Sequence, residues 1–174
     1  MTDVPMTPSD TSEPRWLDAR ETEAWLQFSE IVIRMTSALD TQLQNEADLS
    51  FYEYMVLAML SEQPERTLGM GSLARLTSGS LSRLSHVVKR LEREGYVVRE
   101  ASAHDRRHTN AILTDSGMDK IVESAPGHVA HVRHLIFDAL SCDQVDALRE
   151  ISSTIKARID PTGACNLTDG APRP

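Results

Sequence analysis

Residues 73–117, LARLTSGSLSRLSHVVKRLEREGYVVREASAHDRRHTNAILTDSG, contain the order of elements that decides the fold. A short helix around Leu73 is followed by the turn TSGS, in which Ser80 is placed to cap a longer helix. Gly95 is placed to end that longer helix. Its apolar residues recur every three or four positions: Leu81, Leu84, Val88 and Leu91. Two β-branched segments then flank a polar loop, and this order predicts a winged helix-turn-helix.

Upstream of this segment, apolar residues at helical spacing predict two further helices. The first runs from Glu21 to Asn45 and presents one apolar face: Trp25, Phe28, Val32, Met35, Leu39 and Leu43. The second is predicted to begin at Ser50, which forms a capping box with Glu53, and to stop before Pro64.

Downstream, two more helices are predicted. Thr114 is placed to cap a helix that runs to about Leu140 and is interrupted or bent near Pro126-Gly127. Ser141 and Gln144 form a second capping box, which opens a final helix with its own apolar face: Val145, Leu148, Ile151, Ile155 and Ile159. These apolar faces are longer than one small domain can cover, so we expect two chains to share a core.

The charge of the chain is unevenly distributed. Its 174 residues include 18 Lys and Arg against 26 Asp and Glu, a net charge of −8, which by itself argues against a nucleic-acid partner. Residues 80–107, however, carry a net charge of +3, so the remainder carries −11. The distribution therefore favours DNA binding by this segment, although the total does not.

The composition is that of an ordinary globular protein, and several classes are excluded. Two cysteines cannot form a disulfide framework, and no signal or membrane-spanning pattern is present, so we predict a cytoplasmic protein without a membrane partner. No G-x-S-x-G elbow, phosphate-gripping glycine loop or H-E-x-x-H motif occurs, and we predict neither an enzyme nor a bound cofactor.

The polar face of the helix from Ser80 to Glu94 is the first candidate site. Its first two turns carry the side chains that a recognition helix would present to base edges: Ser80, Ser82, Arg83 and His86. Arg83 is the best candidate to read a guanine, whereas Lys89 and Arg90 are better placed for phosphate. The alternative is a solvated helix face, which is how charge runs usually behave.

The loop between the two strands is the second candidate site. Asp105, Arg106 and Arg107 lie at its tip, and arginine there could enter the minor groove of DNA. Asp105 could hold Arg107 extended through a charged hydrogen bond. An ordinary exposed ion pair is the alternative.

The sequence of residues 73–117 resembles the DNA-binding core of the MarR family of bacterial transcriptional regulators. The matching segments are SLSRLSHVVKRLE, Gly95, the DRR loop and LTDSG, and actinobacterial members in particular continue with APGHV, as residues 125–129 do here. The resemblance implies a homodimer on a pseudo-palindromic DNA site, with Asp105 and Arg107 as the pair in the wing. It also implies base contacts from Ser80, Ser82, Arg83 and His86. Arg75 departs from the family's pattern, in which an acidic residue is more usual.

The predicted fold class is therefore mainly α with a small β-hairpin wing. We predict a flexible arm (1–18), a helical dimerisation region (19–48 and 115–160), a winged helix-turn-helix DNA-binding domain (49–114) and a flexible tail (161–174). The predicted function is that of a sequence-specific regulator, most simply a repressor.

The resemblance also implies release of the DNA by a small effector, aromatic or anionic, bound near the first, second and fifth helices. The available residues are Trp25, Phe28, Arg34, Tyr52 and Tyr54, although most of them would also suit a core.

Three alternatives remain open at this stage. Cys142, at the start of the last helix, could sense oxidants, although an inert thiol is the preferred interpretation. His128, His131 and His134 repeat every three residues and could bind zinc, although solvated or interface histidines are preferred and we predict no metal site. Finally, the winged helix could contact only protein and bind no DNA.

Overall fold

The computed structural model describes residues 14–102 and 108–161. The chain divides into a segment that ends at Arg34 and a compact region that begins at Met35. The helices are α1 (Ala19–Ala47), α2 (Phe51–Ser61), α3 (Met70–Leu76), α4 (Leu81–Arg93), α5 (Asp115–Leu135) and α6 (Cys142–Ile159). The strands are β1 (Thr67–Gly69), β2 (Val97–Ala101) and β3 (Thr109–Leu113). Most of the predicted arm and tail lies outside the described residues.

The mainly helical fold with a small wing is confirmed, and the sheet has one strand more than the predicted hairpin. Strands β2 and β3 pair antiparallel, with Val97 opposite Leu113. On the other edge of β3, the three-residue strand β1 pairs antiparallel, with Thr67 opposite Ile112. Strand β1 is not predictable from its local sequence, because its pairing partner lies more than 40 positions along the chain.

The predicted helix starts are confirmed in atomic detail. Ser50, Ser80, Thr114 and Ser141 each accept a hydrogen bond from the backbone N–H three residues later. At Ser50 and Ser141 the reciprocal bond is also present, so both capping boxes are complete. The predicted glycine stop is also present after α4, where Gly95 has a φ of +79°, a conformation that glycine adopts at low cost.

The expectation for α5 is wrong in two respects. The helix runs without interruption through Pro126 and ends at Leu135, where Ile136 leaves the helical region with φ −125°, and a separate 3-10 turn follows. Gly127 instead allows close packing against α1, because a Cβ there would lie 2.6 Å from Glu46 Oε2. The Pro-Gly pair therefore marks a close approach between α5 and α1 and not an interruption of α5.

The core of the compact region lies inside the winged lobe, which we define as α2, α3, α4 and the three-stranded sheet. It combines side chains from the end of α1 and from α2, α3, α4, α5, β2 and β3. The largest fully buried ones are Leu43, Val56, Leu57, Leu60, Leu73, Leu84, Val88, Leu91 and Val97. Full burial of one leucine or valine side chain stabilises a fold by about 1.5–3 kcal/mol. Because the apolar side of α4 is packed in this core, its polar side faces outward.

Other apolar residues remain exposed. On α1 before Arg34, Trp25 is 57% exposed and Ile33 is 72% exposed. Helix α6 has no buried residue in its 18 positions, and Ile159 near its end is 79% exposed. Within residues 14–102 and 108–161, none of the helices combines the length and apolar character needed to cross a membrane.

Candidate nucleic-acid interface

Helix α4 separates its side chains as the sequence predicted except at Leu81, which the periodicity places on the apolar face and which is 54% exposed. Leu84, Val88 and Leu91 are buried in the core. The polar side chains on the other face are exposed: Ser80, Ser82, Arg83, His86, Lys89 and Arg93. The helix therefore presents two hydroxyls, an imidazole and three cations on one outward surface.

The first turn of α4 is fixed by its cap. Ser80 Oγ accepts a hydrogen bond from the backbone N–H of Arg83 at 3.2 Å. The same hydroxyl can still donate its own hydrogen to an acceptor such as a phosphate oxygen. The start of an α-helix also carries unpaired N–H groups and a partial positive charge, which attract anions.

Arg83 is held against an aromatic ring. Its guanidinium carbon lies 4.2 Å from the centroid of the Tyr52 ring on α2. The Tyr52 hydroxyl lies 2.9 Å from Thr77 Oγ1, the residue that follows α3. On the sequence alone, Tyr52 is a candidate effector residue. Its contact with Arg83 was missed, because a stacking contact between residues 31 positions apart leaves no periodic signal.

Arg90 has partners inside the lobe. Its guanidinium lies 3.2 Å from Glu53 Oε1, a carboxylate that is only 3% exposed, and also donates to the Asp48 carbonyl at 3.3 Å. Glu53 is the residue that closes the capping box of α2. Arg90 thus ties α4 to the start of α2, and its expected contact with phosphate stays a prediction.

An open cavity of about 670 Å³ lies between α3, α4 and the strands. Arg75 and Arg99 contribute cations to its lining, and Ser85 and Thr109 contribute hydroxyls. Arg75 donates to Ser72 Oγ at 3.0 Å, and Arg99 pairs with Glu92 at 2.6 Å. The lining beside the exposed face of α4 therefore mixes two cations, one of them paired with a carboxylate, with apolar groups such as Met70 and Leu81.

The wing is described only up to its tip. The backbone N–H of Ser102 donates to the carbonyl of His108 at 2.9 Å, which extends the pairing of β2 and β3. Asp105, Arg106 and Arg107 lie outside the described residues, so their groove contacts stay predictions.

The five predicted effector residues have different surroundings. Trp25, Phe28 and Arg34 are exposed on α1, where Arg34 pairs with Glu30 at 2.6 Å. Tyr54 is buried, and burial raises the pKa of its hydroxyl. Tyr52, two residues earlier on α2, contacts Thr77 and Arg83 instead. A common effector pocket stays a prediction.

The histidine row does not lie in one environment. His128 is buried, with its Nδ1 3.3 Å from Gln42 Oε1 and its ring 4.4 Å from that of Tyr54, so the preference for a solvated or interface residue is wrong for His128. Burial, followed by the nearby His131, lowers the pKa of His128. His134 is exposed. Among the residues that the structure describes, no three His, Cys, Asp or Glu side chains are grouped to hold a metal ion.

Cys142 is exposed at the first position of α6. Its side chain is accessible, which an oxidant sensor would require. Nothing among the described contacts distinguishes it further from an unreactive surface thiol, so a redox role has no additional support.

In comparisons with known proteins, this chain is similar to transcriptional regulators. The model of the MarR family matches residues 47–108, which include α2, α3, α4 and β2. YkoM of Bacillus subtilis, an uncharacterized HTH-type transcriptional regulator, is 34% identical over 97 residues. That match covers 55% of this chain and 60% of YkoM, so the chain spans less than two thirds of this relative's length.

Two solved structures from Streptomyces coelicolor match over nearly the whole fold. AbsC is 34% identical with a TM-score of 0.80, and the match covers 86% of this chain and all of the AbsC chain. Sco3205, solved in complex with DNA, is 40% identical with a TM-score of 0.83, and the match covers 87% of this chain and 95% of that one. Both are MarR family transcriptional regulators, and with this identity over this length the chain belongs to the MarR family.

Proposed function

We propose that this protein is a transcriptional regulator that binds DNA as a homodimer and reads a pseudo-palindromic site with α4. The observation that carries the proposal is the exposed polar face of α4, held outward by its buried face in a lobe similar to that of a protein solved with DNA. Members of this family are regulators and not enzymes.

Most polar residues of the face have a proposed role. Arg83 donates two hydrogen bonds to a guanine edge, since arginine is the side chain that most often reads guanine. Ser82 and His86, one turn apart, contact neighbouring bases, and Ser80 and Lys89 contact phosphate. Arg90 completes the phosphate contacts if its ion pair with Glu53 leaves one N–H edge outward. Asp105, Arg106 and Arg107 act at the wing, where arginine suits the minor groove.

The homodimer is supported by apolar surface that the single chain does not cover. On α6, Leu148 and Ile151 are exposed, and on α5 Val122 and Val129 are exposed. Helix α1 exposes Trp25 and other large apolar side chains in its own part of the chain. Exposed apolar surface of this kind marks interaction sites, and a second copy offers the same faces in two-fold symmetry.

We further propose repression and release by an effector in the cytoplasm. MprA of Escherichia coli, a transcriptional repressor, is 26% identical over 107 residues and is matched over 60% of its length. Trp25, Phe28 and Arg34 offer aromatic and cationic groups that suit a small aromatic anion. These finer roles rest on the DNA-binding role.

Selection of bound DNA from a random pool tests the proposal. The wild type is expected to enrich an inverted repeat, with half-sites about one helical turn apart. Arg83→Ala is expected to lose preference at one position of each half-site. Arg149→Ala, which removes an exposed arginine of α6 that pairs with Asp146, is the matched control and should select the wild-type repeat.

The same selection at two salt concentrations separates the alternatives. Recovery of an enriched repeat that weakens as salt rises supports a DNA reader, because phosphate contacts release counterions. Failure of the wild type to enrich any sequence above the starting pool contradicts the proposal and favours a winged helix that contacts protein. Repeating the selection with small aromatic acids tests the effector.

A further inference from the structure

Tyr52 lies between the turn of the helix-turn-helix and the side chain proposed to read bases. Its hydroxyl lies 2.9 Å from Thr77 Oγ1, and Thr77 donates its own hydroxyl hydrogen to the carbonyl of Leu73 at 2.8 Å. Because that hydrogen is already used, Tyr52 is the donor in its bond to Thr77. One end of the tyrosine ring is thereby fixed to the last turn of α3.

The turn itself is shaped around this hydroxyl. Gly79 sits so close that a Cβ on it would lie 2.0 Å from the Tyr52 hydroxyl oxygen and 2.9 Å from the ring carbon that bears it. A side chain at position 79 would therefore displace the tyrosine. Both Thr77 and Gly79 of the turn thus define where the ring of Tyr52 lies.

The face of the same ring carries Arg83. The guanidinium carbon lies 4.2 Å from the ring centroid, within the range of a cation–π contact. A guanidinium stacked on a ring keeps its N–H groups directed outward in its own plane, where they can meet a guanine edge. The backbone of Arg83 is held separately by the Ser80 cap.

We propose that Tyr52 is a positioning residue that orients Arg83 for base reading and couples it to the helix-turn-helix turn. The inference rests on the proposed function, since it assigns a role to Tyr52 in the same site. Arginine has a long, flexible side chain, and a contact that restricts it before binding lowers the cost of ordering it on DNA.

A purely structural role would not require this arrangement. Tyr54, on the same helix, is buried in the core and contacts the His128 ring, as a core tyrosine does. Tyr52 is only half-buried. Its hydroxyl contacts Thr77 after α3, whereas its ring contacts Arg83 on α4. The contrast between the two tyrosines supports a role in binding for Tyr52.

A double-mutant cycle on the full-length protein tests the inference. Affinity for the selected DNA is measured by fluorescence anisotropy for the wild type, Tyr52→Leu, Arg83→Ala and the double variant. Tyr52→Leu is expected to weaken binding roughly threefold to thirtyfold, the range of a cation–π contact. In the Arg83→Ala background the same change should have no further effect, because the side chain that it positions is gone.

A modified base tests the contact itself, because a general loss of structure would lower the affinity for the normal and the modified site alike. Replacing the guanine read by Arg83 with 7-deazaguanine removes the N7 acceptor from the major-groove edge. The wild type should lose affinity for the modified site, and Tyr52→Leu should lose much less. Tyr52→Phe, which keeps the ring but not the bond to Thr77, should lie between the two and serves if Tyr52→Leu does not fold.

Tyr96→Leu is the matched control. Tyr96 is also a half-buried tyrosine of the lobe, but the cation over its ring is Lys120 at 6.0 Å. This variant should discriminate against 7-deazaguanine as the wild type does, and its melting temperature reports the cost of losing a ring.

The outcomes separate this inference from the function on which it rests. If the wild type selects no site, both are wrong. If the wild type selects a site that Tyr52→Leu or Tyr52→Phe reads with unchanged affinity and unchanged discrimination against 7-deazaguanine, only the inference is wrong. Losses that simply add in the double variant also overturn it.

Discussion

Helices α4 and α6 are similar in sequence pattern and opposite in what they bury. Each begins with a serine cap, and each carries apolar residues at intervals of three and four. Leu84, Val88 and Leu91 of α4 are buried, whereas α6 has no buried residue. Helix α4 therefore exposes its polar face and α6 its apolar face, so a charged partner suits the first and a second protein chain the second.

The largest expected effect is a difference in stability between substitutions on α4 and on α6. Leu84→Ala leaves a cavity in the core and should lower the free energy of unfolding by about 2–5 kcal/mol. Leu148→Ala makes the same change on α6, where the side chain is 39% exposed, and should cost the single chain much less. Urea unfolding at low protein concentration measures both, and equal losses would contradict the difference between the helices.

The next effect concerns association of two chains. Ile151 is 57% exposed on α6, and Ile151→Glu should raise the dissociation constant of the dimer about tenfold or more, because it places a charge in an apolar interface. Sedimentation equilibrium measures the change. Glu150→Gln, at a neighbouring exposed position, is the control, and a monomeric wild type at micromolar concentration would contradict the dimer.

The serine caps of α4 and α6 are expected to contribute equally to stability but differently to DNA binding. Ser80→Ala and Ser141→Ala each remove one side-chain bond to a backbone N–H and should each cost about 1 kcal/mol of stability. Only Ser80→Ala should also weaken DNA binding, because Ser80 fixes the backbone of Arg83. Thermal melts and anisotropy titrations of both variants provide the test, and equal effects on DNA binding would count against a role for α4.

Helix α5 is intermediate between α4 and α6, and the expected effect there depends on pH. His128 is buried against Tyr54 and Gln42, Gln42 in turn donates to Glu46, and burial together with His131 lowers the pKa of His128 below its ordinary value of 6.5. The unfolded chain therefore takes up a proton first as pH falls. This histidine's contribution to stability is present above pH 6.5 and is lost as pH falls towards its lowered pKa.

His128→Gln should remove that part of the pH dependence. The free energy of unfolding of the wild type is compared with that of the variant between pH 5 and pH 8, with His134→Gln as the control because His134 is exposed on the same helix. Curves of the wild type and His128→Gln that remain parallel over this range would contradict the assignment.

Local features of the structure were predictable from the sequence. Ser50, Ser80 and Ser141 cap helices because a hydroxyl three residues before a backbone N–H is a short-range arrangement. Gly95 ends α4 for a similar reason, since its φ of +79° is a property of one residue. The polar face of α4 followed from its 3.6-residue period.

Contacts between distant residues were not predictable in this way. Strand β1 exists because β3 offers an edge more than 40 positions along the chain. Tyr52 meets Arg83, and Glu53 meets Arg90, only after α2 and α4 pack together. The burial of His128 depends likewise on the approach of Gln42 from α1. These contacts refine the candidate site that the periodicity located.

The most direct test of the central claim is the affinity of the wild type and Arg83→Ala for two DNAs, the selected site and the same site with one guanine pair replaced. The wild type should lose about 1–3 kcal/mol of binding free energy at the replaced pair, and Arg83→Ala should bind the two DNAs nearly equally. If Arg83→Ala discriminates between the two DNAs as strongly as the wild type does, the exposed face of α4 does not read the site through Arg83.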